Sequence, residues 1–85
     1  MSETAEARLK RLYMRSMRRG IKEMDLILQA FADRNLAQMD AEQLDVYDAL
    51  LSENDQDLYQ WVTGQADAPA QYARLVHEIS QTFQK

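Results

Sequence analysis

Apolar residues recur along this chain at helical spacing. Leu9, Leu12, Tyr13 and Met17 fall at i, i+3, i+4 and i+8, the spacing of one buried helix face. They predict a first helix from about Ala5 to Met17, with Thr4 as its N-cap. Gly20 breaks the pattern and is expected to take the left-handed conformation just past a helix end. Ile21, Met24, Ile27, Leu28 and Phe31 predict a second helix to about Ala32. Leu26 lies off that stripe, which suits a central helix with several neighbours. Asp40 and Gln43 have the spacing of a capping box ahead of Leu44, Tyr47, Leu50 and Leu51. A short fourth helix is expected from about Asn54 to Val62, capped by Ser52, with Asp55 and Asp57 complementing its dipole and Gly64 ending it. Tyr72, Leu75, Val76, Ile79 and Phe83 mark a fifth, beginning after Asp67 with Pro69 near its first turn.

No run alternates as a strand does, and no repeat or low-complexity segment is visible. The fold expected is all-α, a single-domain five-helix bundle over residues 1–85 with its core at about 5–83. A chain of 85 residues holds one small domain, with little room for a deep enclosed active site. Binding at the surface is the better expectation.

Composition narrows the chemistry. The absence of cysteine removes disulfides, thiolate metal sites and thiol nucleophiles together, and suits a reducing compartment. The polar, acidic first residues resemble neither a secretory signal nor a transit peptide. The longest apolar stretch is Leu26-Ile27-Leu28, so no membrane insertion is expected. The only histidine, His77, has no visible ligand or nucleophile partners. The acidic pairs Asp45/Asp48 and Asp55/Asp57 lack a calcium loop around them. No phosphate-cradling glycine loop, dinucleotide fingerprint or nucleophile elbow is present. No catalytic residue, no metal and no stably bound cofactor are expected, and the chain is read as a non-enzyme.

The net charge of −4 hides an asymmetry: seven of the ten basic residues fall within residues 1–22, and twelve of the fourteen acids follow. Arg8, Arg11, Arg15 and Arg18 share a face of the first helix. Three uses of that stripe are open: a solvated face, an acidic protein partner, or nucleic-acid phosphates. The acids Glu23, Asp25 and Asp33 count against nucleic acid, because they lie where a recognition helix would meet the backbone.

Charge and apolar patterns meet at Arg18–Leu28. Arg19 offers a planar fork of donors that fits a carboxylate or phosphate. Gly20 permits close approach, and Glu23 and Asp25 follow. A purely local pairing of Arg19 with Glu23 or Asp25 is the plain alternative.

Arg19-Gly20-Ile21-Lys22-Glu23 resembles the RGxxE signature of the succinate dehydrogenase assembly factors, or flavinators. Met24, Asp25 and the apolar run after it, and Asp55-Gln56-Asp57-Leu58-Tyr59-Gln60-Trp61 downstream, extend the likeness over about residues 8–80. The resemblance implies a chaperone-like factor. It would bind the flavoprotein subunit of succinate dehydrogenase, or of fumarate reductase, and promote covalent attachment of FAD to that client. FAD would belong to the client. Arg19, Gly20 and Glu23 carry over as contact residues, with Asp25 beside them and Arg15, Arg11 and Arg8 steering the docking. The lack of a targeting extension suggests the bacterial cytoplasm, and the free protein is expected to be a monomer. The alternative is a small nucleic-acid-binding regulator or antitoxin-like protein using the basic face of helix 1.

Overall fold

The computed structural model of the chain describes residues 3–83. It contains α1 (Ala5–Arg15), α2 (Lys22–Asn35), α3 (Ala41–Leu50), α4 (Asp55–Val62) and α5 (Ala73–Phe83). A single 3-10 turn at Leu36–Gln38 follows α2 directly, and another at Ala70–Tyr72 runs straight into α5. No strand occurs among the described residues, and the fold is the expected all-α bundle.

Local chemistry sets most helix starts. The Thr4 hydroxyl accepts from the Ala7 amide at 3.0 Å. Asp40 and Gln43 form a reciprocal capping box at 2.8 and 2.9 Å, which satisfies two otherwise orphaned donors. At α4 the cap is Asn54, whose side chain accepts from the Gln56 amide at 2.8 Å. Ser52, expected in that role, instead accepts from Arg15 at 3.1 Å. Pro69 precedes a 3-10 turn that buries Tyr72, so α5 proper begins only at Ala73. The second helix outruns its expected end by three residues. Leu36, one turn beyond Ala32, is also buried and prolongs the buried face into the 3-10 turn.

The core forms around α2, which contacts α1, α4 and α5. Leu12, Met24, Leu28, Tyr47, Leu58 and Ile79 are fully inaccessible, and Phe31 and Leu50 nearly so. Burying each side chain of this size contributes about 1.5–3 kcal/mol. Phe31 and Tyr47 pack with ring centroids 5.5 Å apart, and Trp61 stacks on Tyr72 at 6.0 Å. The aromatic residues thus serve mainly as packing. The side chain of Phe83 lies outside the described residues. Leu26, in contrast, is not covered by a neighbour. It is 59% exposed on α2, and Met14 on α1 is 55% exposed.

Candidate functional site: the corner between α1 and α2

Helix α1 stops two residues earlier than its apolar stripe suggests. Ser16 is wholly buried, its hydroxyl bonded to the Leu12 carbonyl at 2.8 Å and to the Tyr47 hydroxyl at 2.6 Å. Burial pushes the Tyr47 phenol up to about 12, against the pull of the Ser16 hydrogen bond and the nearby charges of Arg19 and Arg15. The chain then reverses at Arg18, which takes the left-handed conformation with φ +57°. That role was expected of Gly20, yet the φ of Gly20 is not positive. The Asp25 carboxylate fixes the reversal, accepting from the Arg18 amide at 2.7 Å. A hydrogen bond to a charged acceptor of this kind offsets the strain of a non-glycine residue at positive φ.

The Arg19 fork turns inward. Its Nε donates to Asp55 Oδ1 at 2.8 Å, its Nη1 to the Arg15 carbonyl at 3.0 Å and its Nη2 to the Leu51 carbonyl at 3.0 Å. The two side chains are only 12% and 19% exposed. One guanidinium therefore joins three helix ends: the last residue of α1, the C-cap of α3 and the first residue of α4. Carbonyls at helix C-termini lack intrahelical partners and attract cations, while helix N-termini favour carboxylates. The charges match at all three places. The local pairing of Arg19 with Glu23 or Asp25 is not formed; Asp55 takes that place from the far side of the sequence.

Asp55 also explains the glycine. Its Oδ2 accepts from the Gly20 amide at 2.6 Å. A Cβ built on Gly20 would lie 3.1 Å from that same oxygen, tighter than an ordinary van der Waals contact. What remains outward at the corner is Arg18, Gly20, Lys22 and Glu23, all exposed, with Asp25 half-buried. Among the described residues Glu23 makes no ion pair.

The basic stripe of α1 lies against acids. Arg8 pairs with Asp45 and Arg15 with Asp48. Arg11 bridges Glu3 at 2.8 Å and Asp48 at 3.1 Å. The Arg11 guanidinium holds the Glu3 and Asp48 carboxyls below their usual range, and the two acids raise Arg11 in turn. The charge asymmetry of the sequence is thus folded onto itself, with basic α1 on acidic α3. A phosphate backbone would have to displace these carboxylates, and nothing in the geometry favours the nucleic-acid alternative. Among the described residues no three His, Cys, Asp or Glu side chains lie together as metal ligands. His77 is exposed on α5.

The sequence profile of the family described as "Flavinator of succinate dehydrogenase" matches residues 10–83. The chain belongs to this flavinator family. Curated relatives agree. A protein of Aspergillus terreus named succinate dehydrogenase assembly factor 2, mitochondrial, is 45% identical over 75 residues, covering 88% of this chain and 25% of its own length. Its namesake in Candida glabrata is 48% identical over 74% of this chain and 41% of its own. Assembly factor 2-B, mitochondrial, of Drosophila mojavensis is 42% identical over 82% and 46% respectively. The chain thus spans between a quarter and a half of the length of these flavinator relatives. Their names correct the expectation of a bacterial cytoplasmic protein, since they are mitochondrial proteins of fungi and a fly. The acidic residues at the start of a chain that matches only part of each relative carry no information about targeting.

Sequence reasoning placed the corner but missed Asp55 as its keystone. The only signal was a requirement that an arginine beside two helix ends find a carboxylate, and the segment Asp40–Asp67 offers eight.

Proposed function

We propose that this chain binds the flavoprotein subunit of succinate dehydrogenase and promotes covalent attachment of FAD to it. The family match across residues 10–83 carries the reading, and the names of the relatives give it a client. The fumarate reductase flavoprotein is a second client of the same kind. The chain acts as a monomeric binding partner and contributes no catalytic group. FAD is held by the client, whose own histidine forms the bond to it. The gain in rate comes from holding the client's reacting groups in register.

Within this proposal the exposed corner is the contact. Glu23 offers a carboxylate unpaired among the described residues to a basic group or backbone donors, Gly20 keeps the surface flat, and Asp25 holds the turn at Arg18 that precedes both. Arg19 shapes the corner from beneath. Arg8, Arg11 and Arg15 flank it, and a client that uses them must exchange with the carboxylates of Asp45, Asp48 and Glu3.

The test mixes purified apo flavoprotein subunit with FAD and follows covalent flavin by in-gel fluorescence. Wild-type chain is expected to speed attachment. Glu23→Lys, at an exposed position, is expected to slow it without loss of helicity. No complex and no change in rate with the wild-type chain would sink the proposal.

A further inference from the structure

We propose that Asp55 is the positioning residue of the corner: the segment that opens α4 sets the surface that α1 and α2 present to a client. The inference rests on the assembly-factor reading for its functional half and on the geometry alone for its structural half.

Asp55 lies 35 residues from Gly20 and 36 from Arg19 in sequence. Its two carboxylate oxygens divide the work. Oδ1 receives the Arg19 guanidinium, and Oδ2 receives the Gly20 amide. One side chain, itself anchored at the first residue of α4, thus holds both the Arg19 guanidinium and the N–H of the Arg19–Gly20 peptide. Glu23 lies exposed in the first turn of α2, three residues later, so the direction in which it projects follows from that grip. No other described side chain hydrogen-bonds to both Arg19 and Gly20.

The same geometry gives a reason for glycine at position 20 that does not involve the client. Its backbone is not left-handed, so alanine suffers no conformational strain there. Alanine would instead press its methyl group toward Asp55 Oδ2. Any larger residue at position 20 makes the Asp55 carboxylate give way by a few tenths of an ångström. The two residues are therefore coupled, and replacing Asp55 should release position 20.

Two arms test this. The first is a double-mutant cycle on the free chain, read by urea unfolding. With Asp55→Ala in place, Gly20→Ala should raise the folding equilibrium constant about two- to fivefold, the usual gain from restricting the unfolded chain. In the wild-type background that gain should vanish or reverse. If Asp55→Ala does not fold, Asp55→Ser serves, since its shorter side chain also removes the oxygen that faces position 20. An equal effect of Gly20→Ala in both backgrounds overturns the coupling. The Gly20 amide proton resonance gives an independent signature. It should move upfield when its charged acceptor is removed, and an unmoved resonance also overturns the proposal.

The second arm measures the affinity of folded variants for the apo flavoprotein subunit. Asp55→Ala should weaken it about tenfold, the equivalent of about 1.4 kcal/mol, and Asp55→Glu should recover part of the loss by keeping the carboxylate. Unchanged affinity in an Asp55→Ala variant whose Gly20 resonance has moved means the client does not read this geometry, and the positioning role is refuted. Failure of the wild-type chain to bind the client is a different result. It removes the assembly-factor reading and with it the functional half of the role, while the cycle and the resonance still decide whether Asp55 builds the corner.

Discussion

Replacing Arg19 with alanine removes a cation that three helix ends share. The Asp55 carboxylate, 19% exposed, keeps only the Gly20 amide, and the carbonyls of Arg15 and Leu51 lose their charged donors. Breaking a buried ion pair by deleting one partner costs about 3–5 kcal/mol. The residual solvent access of this pair favours the low end, about 3 kcal/mol. A chain of this length has roughly 4–13 kcal/mol of stability in total, so the variant loses a large fraction of it. Its melting temperature should fall by about 12–24 °C, at 4–8 °C per kcal/mol for a domain of this size. Urea titration followed by far-ultraviolet circular dichroism measures the loss, with the exposed Glu23→Ala variant expected within about 0.5 kcal/mol of wild type. Arg19→Lys should lie between them, because an ammonium group cannot present the planar fork that reaches Asp55, Arg15 and Leu51 together. An Arg19→Ala variant as stable as wild type would refute the reasoning. The result decides how client assays are interpreted: loss of flavin attachment in an unfolded Arg19→Ala would report a loosened bundle, whereas an exposed substitution such as Glu23→Lys reports a lost contact directly.

The buried hydroxyl pair gives an ordered set. Ser16 donates to Leu12, so the Tyr47 hydroxyl donates to Ser16. Ser16→Ala therefore strands a buried donor and should cost about 1–3 kcal/mol, Tyr47→Phe less, and the double variant less than the sum of the two, all by urea unfolding. The Tyr47 phenol is raised to about 12, so its contribution to stability is complete below pH 10. It should be lost between about pH 10 and 12, by roughly 3 kcal/mol, as the unfolded phenol ionises first; Tyr47→Phe should flatten that slope. On the acid side the Asp48 carboxyl is lowered by Arg11. Its contribution is present above the ordinary carboxylate range and lost as pH falls below about 4. Asp48→Asn should weaken that acid dependence by at most about 1 kcal/mol, less in high salt. Gly64 has φ +82° with open space around it, so Gly64→Ala should destabilise by about 1 kcal/mol through backbone strain alone.

What the sequence made legible was whatever depends on near neighbours. The Asp40–Gln43 capping box and the Thr4 cap follow from spacings of three and four residues and are present, as are the buried faces from Met24 to Phe31 and from Tyr72 to Ile79, while α1 buries Leu12 but ends before Met17. Legibility failed where a residue's partner lies more than thirty positions away. Asp48 and Asp55 looked like solvated helix acids, yet they receive Arg11, Arg15 and Arg19 across 33 to 37 residues. The arginine stripe looked free for the same reason, since nothing in a linear pattern shows that α1 lies on acidic α3. Gly20 was misassigned by a sound local rule. Glycine usually marks the left-handed residue after a helix, but here Arg18 takes that conformation because Asp25 supplies a charged acceptor. Leu26 was misassigned in the opposite sense. An apolar residue off the main stripe suggested a further packing neighbour, and the structure leaves it exposed.

The segment Arg19–Glu23 therefore mixes two kinds of residue that a motif cannot separate. Arg19 turns its side chain inward to Asp55, and Gly20, though exposed, directs its amide to the same carboxylate, so a buried charge and a 3.1 Å approach constrain the two positions. Glu23 faces outward and has no ion-pair partner among the described residues. A buried ion pair is seldom the most stabilising choice for its site; well-packed apolar residues often do as well. An apolar substitute, however, could not grip the Gly20 amide or cap the carbonyls of Arg15 and Leu51. The polar solution fixes one geometry of the turn, where a greasy one would leave the peptide free to rotate. For a chain proposed to act by holding another protein in register, the direction in which Glu23 projects matters more than the last increment of stability. The placement of a mostly buried arginine and aspartate beneath an exposed carboxylate is consistent with that ordering.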